Sequence, residues 1–339
     1  MSGGQTSLAD AAPDVASRLA GLSIGILRNP GSGANLRQGT PMQRALADHP
    51  EIPCCEVAKP ADVDAALREM AERGVDTIAI SGGDGTVSAV LDTIFGRNPF
   101  PRRPFLAVLR GGTANMTARD IGMRGRQHRA LAALIDASAR GGAGLVVTQR
   151  PVIRVDPGNG RDPIHGMFFA AAAISQGIDY CKRHVHALGL RGEIGPAVTM
   201  VRFVIAMARG EREIVAPVPM TVAIDDGHPA SFDCEIVHVT TLEELVLGLR
   251  PYWGREHAPL HYASVRAGPR HWMRALPSVL RGRPNRLVTE ANGYTSRNAH
   301  RLSIGLDTPF FVDGELYNPQ SETPLTLTAA GAALFLTLR

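Results

Sequence analysis

Lysine is almost missing from this 339-residue chain: Lys59 and Lys182 are the only two, and arginine carries the positive charge. Arginine suits bidentate contacts with phosphate, although an alanine- and arginine-rich composition also follows from genomic base bias. Aromatic residues are scarce, at 5% of the chain, and the basic residues are scattered. That argues against a nucleic-acid groove, which needs stacking rings among clustered cations. The four cysteines, Cys54, Cys55, Cys181 and Cys234, form no C-x-x-C pair and have no histidine at zinc-ligand spacing. Reduced core thiols are expected. No apolar run reaches the roughly eighteen residues that a membrane-spanning helix requires. The start of the chain has no basic stretch ahead of an apolar one, so residues 1–20 read as a disordered tail and not as a leader. A cytoplasmic protein is expected, one that touches a membrane only at its surface. Walker-type lysine loops, serine-hydrolase elbows and zinc-protease helices are absent as well.

Apolar material is ample, at 44% hydrophobic residues, and supports two domains. Strand and helix patterns alternate at first: strands near 22–27, 52–57, 76–80 and 105–109, with helices near 42–48, 61–73, 87–94 and 126–140. The helix at 61–73 sets Val63, Ala66, Leu67, Met70 and Ala71 on one face and stops at Gly74. Such alternation predicts a doubly wound parallel sheet with ligands at the carboxyl ends of its strands. From about residue 144 the pattern changes to strands separated by Gly, Pro and Asp turns, near 145–156, 219–224, 231–241, 261–267 and 301–306. An apolar helical stretch at 195–208 interrupts them. The expected architecture is therefore α/β + β: a doubly wound domain over 21–143, then a mainly antiparallel β-sandwich over 144–323. The last segment, 324–339, returns to the first domain.

Three glycine-rich segments each follow a predicted strand, so all three should lie on one edge of the sheet. They are Asn29-Pro30-Gly31-Ser32-Gly33, Ser81-Gly82-Gly83-Asp84-Gly85-Thr86 and Gly111-Gly112-Thr113-Ala114-Asn115. Glycines at a strand-to-helix turn let backbone N–H groups approach an anion, and the new helix turns its positive end to it. Asp84, set between glycines, can hold the Mg²⁺ that a nucleotide triphosphate carries. Each segment also has a plain structural reading. The first is an ordinary strand-ending turn, Asp-Gly is common in turns, and Thr113 or Asn115 could simply cap a helix. Late in the chain, Asp313-Gly314-Glu315 sets two carboxylates around a glycine, which locally reads as a hairpin turn with solvated acids.

Taken together, Asn-Pro-Gly-Ser-Gly, Ser-Gly-Gly-Asp-Gly-Thr-Val, Gly-Gly-Thr-Ala-Asn-Met-Thr-Ala-Arg and the late Asp-Gly-Glu resemble the diacylglycerol kinase catalytic family. This family includes bacterial soluble lipid kinases and sphingosine kinases. The resemblance implies ATP and Mg²⁺ as cofactors, a lipid substrate, and an active site in the cleft between the domains. It implies nucleotide binding by Asn29, Pro30, Gly31, Ser32 and Gly33, by Gly82, Gly83, Asp84, Gly85 and Thr86, and by Gly112, Thr113 and Asn115. Asp84 would be the metal residue, and Asp313 with Glu315 the proton acceptor. Gly177 matches a further family position, a glycine turn. Ala89 and Met116 stand where many relatives carry acidic residues. An NAD kinase-like enzyme and a non-catalytic lipid- or nucleotide-binding relative remain as alternatives.

For docking on a bilayer the candidate is 270–283. Trp272, Met273, Leu276, Val279 and Leu280 fall on one side at helical spacing among Arg270, Arg274 and Arg281, with Pro277 expected to kink or divide the helix. A short helix packed on the β domain is the plainer reading. The partners implied are a lipid, an anionic membrane surface and, in a homodimer, a second copy.

Overall fold

Apolar runs buried on both faces form three of the four strands of the first half, the fourth being the part-exposed edge strand Cys54–Glu56, and amphipathic segments between them form its helices. The structure, a computed structural model, describes residues 15–33, 35–36, 39–112, 115–158, 160–180, 209, 211, 215–319 and 323–338. In order come β1 (Ile24–Arg28), α1 (Gly39–Ala47), β2 (Cys54–Glu56), α2 (Pro60–Glu72), β3 (Thr77–Gly82), α3 (Asp84–Asp92), β4 (Phe105–Arg110), α4 (Met116–Ile121) and α5 (Gln127–Ala139). Strands β2, β1, β3 and β4 pair in parallel in that spatial order. Their alternate residues feed two cores. Ile24, Ile26, Ala79, Ala107 and Leu109 pack with Leu131 and Leu134 of α5, while Leu27, Ile78, Ile80, Leu106 and Val108 pack with Leu67 and Met70 of α2 and Val87, Val90 and Leu91 of α3. Helices thus cover both faces, as a doubly wound sheet requires. Helix α2 starts with Pro60 and with Asp62 accepting the Ala58 and Lys59 N–H groups, and it stops at Gly74, whose φ of +70° suits glycine.

The second half continues the same sheet with antiparallel strands: β5 (Leu145–Asp156), β6 (Ile164–Gly166), β7 (Phe168–Ala172), α6 (Ala173–Tyr180), β8 (Val218–Ile224), β9 (Ala230–Thr240), β10 (Leu260–Arg266), α7 (Trp272–Leu280), β11 (Tyr294–Ala299), β12 (Arg301–Gly305), β13 (Phe310–Val312), β14 (Glu315–Tyr317) and β15 (Leu325–Leu338). The main path runs β14-β13-β7-β9-β8-β12-β15-β4-β3-β1-β2. Strand β15 joins the halves: it pairs in parallel with β4 and antiparallel with β12 and with nearly all of β5. Phe169, Ala171, Val237, Val239 and Tyr262 on one arm meet Ile153, Met220, Leu302, Ile304 and Leu327 on the other, forming the interior of the sandwich.

Three expectations need correction. The tail ends sooner than residue 20: Val15 and Leu19, four apart on one helical turn, pack on the first core, and the Arg18 guanidinium lies 4.1 Å from the Phe105 ring centroid. Gly177 is no turn, because it lies inside α6; Ala172, at φ +59°, makes the left-handed step that ends β7. Helix α7 runs through Pro277 undivided, and its apolar residues split: Trp272, Ala275 and Val279 are buried against Val265 and Tyr294, while Met273 faces outward. The helix expected at 195–208 and Cys181 lie outside the described residues; Cys54, Cys55 and Cys234 are free thiols, but only Cys234 is in the core, since Cys54 is exposed and Cys55 half-buried on the edge strand β2.

Candidate active site

Parallel pairing of β1, β3 and β4 brings their carboxyl ends to one edge, and all three glycine segments begin there. Asn29 folds the first one. Its Oδ1 accepts the Gly31 N–H at 2.9 Å, and its Nδ2 donates to Thr86 Oγ1 at 3.1 Å, which ties the first segment to the second. Beneath them lies a buried polar cluster not marked by any sequence motif. Asn35 donates to the Asn29 and Ser81 carbonyls, Gln127 donates to Asn35 Oδ1 at 2.8 Å, and Ser81 Oγ donates to Gln127 Oε1 at 2.6 Å. Asn35, Ser81 and Gln127 are each at most 4% exposed, so the cluster fixes the strand ends from below. Only long-range contact reveals it: Asn35 and Gln127 lie far apart in the chain and match no pattern. Ser32 Oγ, in the first segment, is buried without a hydrogen-bond partner.

The second and third segments meet backbone to backbone. A Cβ on Gly82 would sit 2.6 Å from the Thr86 side chain, and one on Gly112 would sit 2.5 Å from Gly83 Cα. Asn115, at φ +50°, does not cap α4 through its side chain; it closes the third segment by accepting the Gly112 N–H at 2.7 Å and donating to the Gly112 carbonyl at 2.8 Å. Thr113 lies outside the described residues. Asp84 points across this junction, where its two carboxylate oxygens accept the Met116 and Thr117 N–H groups at 3.2 and 3.1 Å. The aspartate therefore supplies the acceptor that the first turn of α4 needs. Burial raises its pKa, against the opposing pull of the Thr117 and Met116 amides.

From the second half, the turn between β13 and β14 reaches this same loop. Gly314, at φ +121°, lies so close that a Cβ there would be 3.1 Å from Gly85 N, and Glu315 Oε1 is 3.3 Å from where a Gly85 Cβ would stand. Glu315 is exposed, whereas Asp313 is fully buried. Asp313 Oδ2 accepts the Met167 N–H at 2.6 Å, and Oδ1 has no partner. Burial lifts the Asp313 pKa well above the usual carboxylate range, and the charge of Asp84 adds to the rise. The segment is both the hairpin turn that its local sequence suggests and a direct neighbour of the Gly85 loop. An ion triad adds a second bridge: Arg150 of β5 donates to Asp120 of α4 at 3.1 Å and to Glu243 at 2.8 Å.

Among the described residues no three His, Cys, Asp or Glu side chains form a preformed metal cage. The unpartnered Asp313 Oδ1 beside the charge of Asp84 does fit a cation that brings most of its ligands as water and phosphate, as Mg²⁺ does. No helix among the described residues is long and apolar enough to cross a membrane.

Residues 23–143 match the family model of the diacylglycerol kinase catalytic domain, so the resemblance carried by the glycine segments holds over that stretch. A crystal structure of a diacylglycerol kinase from Bacillus anthracis str. Sterne shares the fold: TM-score 0.57 and 17% identity over 93% of this chain and 96% of that one. Two further structures from the same strain align with TM-scores of 0.61 and 0.60 at 19% and 18% identity, over the same shares of both chains. No curated protein matches the chain in sequence.

Proposed function

We propose that the chain is a lipid kinase that transfers the γ-phosphate of ATP to the hydroxyl of a lipid acceptor such as diacylglycerol or a sphingoid base. One observation carries this reading: the Asp313-Gly314-Glu315 turn lies directly on the Gly85 loop, so a distant acidic segment and three phosphate-type loops line one cleft. In this reading, residues 21–143 with 324–339 bind the nucleotide and 144–323 bind the acceptor. The loop amides face the phosphates, with the Ser32 hydroxyl beside them. Asp84 and Asp313 would hold Mg²⁺, which when bound neutralises phosphate charge.

The acceptor oxygen attacks the γ-phosphorus, the bond to the bridging oxygen breaks, and ADP leaves. Glu315 takes the hydroxyl proton. Asp313 is the weaker candidate for that task, because burial favours its protonated form and Oδ2 is already tied to Met167. Positioning and charge neutralisation supply most of the acceleration in such a transfer. Incubation with radiolabelled ATP and a panel of lipid extracts, followed by chromatography, tests the proposal. Label in a lipid product, lost in Glu315→Gln, supports it; label only in water-soluble product overturns it. A second reading, a nucleotide-binding relative without turnover, draws on Asp84, both of whose oxygens are occupied by α4 amides. ATP binding without any phosphorylated product would favour it.

A further inference from the structure

Between Glu256 and Glu290 the chain has no acidic residue but six arginines, Arg266, Arg270, Arg274, Arg281, Arg283 and Arg286, and all six are exposed. Helix α7 lies at their centre. At about 100° per residue, Met273, Arg274 and Pro277 occupy one side of α7 and Trp272, Ala275 and Val279 the other. The second side is buried against Val265, Val288 and Tyr294. On the first, Met273 is 58% exposed, the only large apolar side chain among the exposed arginines of this segment. Arg270 stands just before the helix and Arg281 just after it.

We infer that this face of α7 docks on an anionic bilayer, with Met273 entering the interface and the arginines meeting lipid headgroups. An exposed apolar residue in a stretch of chain that carries arginines and no acids suits a charged surface that has an apolar interior beneath it, although Glu235 of β9 does reach the Gly268 N–H at its edge. A nucleic acid would offer phosphates but no place for Met273, and the one exposed ring among these arginines is the His271 imidazole, with no Phe, Tyr or Trp exposed for a base to stack on. The face is also connected to the cleft. The Leu280 carbonyl accepts the Arg250 N–H at 3.0 Å, and two residues on, the Tyr252 hydroxyl donates to the Leu242 and Glu243 carbonyls. Glu243 belongs to the ion triad that reaches α4 and the third glycine segment. The biological use of such docking, delivery of the acceptor to the cleft, rests on the lipid-kinase reading; its measurement does not.

The test is co-sedimentation of the full chain with phosphatidylcholine vesicles made with and without phosphatidylglycerol, at low and high salt and without ATP. Binding should require phosphatidylglycerol and weaken with salt. Each basic residue near such a surface contributes about fivefold, so Arg270→Glu, Arg274→Glu, Arg281→Glu and Arg283→Glu together should lower binding by several hundred-fold, on the order of the four contributions multiplied. Met273→Asp alone should weaken it measurably, and both variants should melt as the wild type does and keep turnover on a short-chain, monomeric acceptor. Equal binding to neutral vesicles, undiminished binding by the quadruple variant, or tighter binding to duplex DNA than to the vesicles would overturn the inference. Vesicle binding with no lipid phosphorylation would uphold the docking face and remove the kinase reading.

Discussion

Replacing Gly112 by alanine tests whether the second and third glycine segments meet as described. The added Cβ would stand 2.5 Å from Gly83 Cα, 3.3 Å from Asn115 Oδ1 and 3.6 Å from Asp84 N. Carbon atoms rest at about 3.5–4.0 Å, so the two segments must part by about 1 Å. The nearest obstacle is backbone, with no flexible side chain to swing aside. Parting them stretches the reciprocal Asn115–Gly112 bonds and pulls Asp84 away from the Met116 and Thr117 amides, already at 3.2 and 3.1 Å. Overpacking of this kind costs about 1–3 kcal/mol. Carried wholly into nucleotide affinity, that is a weakening of roughly 5- to 150-fold. Calorimetric titration with ATP reads the affinity, and thermal melting reads whatever share falls on stability. Gly21→Ala is the control, since a Cβ there meets nothing within 4 Å. If Gly112→Ala binds ATP as tightly and melts as high as the wild type, the loops do not touch and the geometric argument fails.

Glu315→Gln should reduce turnover by orders of magnitude while calorimetry shows ATP binding unchanged; normal turnover would remove Glu315 as the proton acceptor. Asp84→Ala should lose turnover and also stability, because two amides of α4 lose their acceptor at about 1–3 kcal/mol for an unsatisfied buried group. A lower melting temperature in differential scanning fluorimetry checks this. Asp313 gives a pH signature. Its folded-state pKa is raised, so above the ordinary carboxylate range the native state keeps a proton that the unfolded chain has released. Its contribution is therefore present at acid pH and lost as pH rises through the folded value. Asp313→Asn, which keeps an acceptor for Met167 and needs no charge, should flatten that slope in urea titrations at several pH values and raise stability at neutral pH. An unchanged slope would show that Asp313 ionises freely in the cleft.

The first half was legible because β1, β3 and β4 are apolar runs that lead into glycine-rich segments, and α2 has a strict apolar face, a proline start and a glycine stop. The second half was only partly so. Strands 145–156 and 231–241 show their alternation, but Phe168–Ala172 reads as no particular element, since three alanines suit a helix and only pairing with β9 and β13 makes them a strand. The acidic turn looked like an ordinary hairpin because its significance comes from what it touches, Gly85, more than two hundred residues earlier. Motif spacing located Asp84 but not its orientation: no pattern shows that its carboxylate faces the amides of α4. The Asn35–Ser81–Gln127 cluster and the Asp120–Arg150–Glu243 triad escaped for the same reason. Each is a meeting of residues that the chain keeps far apart.

Strand β15 constrains how this molecule can move. It runs from the sandwich, beside β12, to the parallel sheet, beside β4, with β5 alongside for twelve residues and a single bulge between Ala329 and Gly331. Many proteins with a cleft between two lobes swing on a short flexible connector; here two long hydrogen-bonded strands act as a girder across the joint. A bending motion would have to break backbone pairs that nothing else replaces. Closure on a bound molecule therefore falls to the glycine turns and the acidic hairpin at the rim, and shortening the chain from its carboxyl end would loosen both lobes at once.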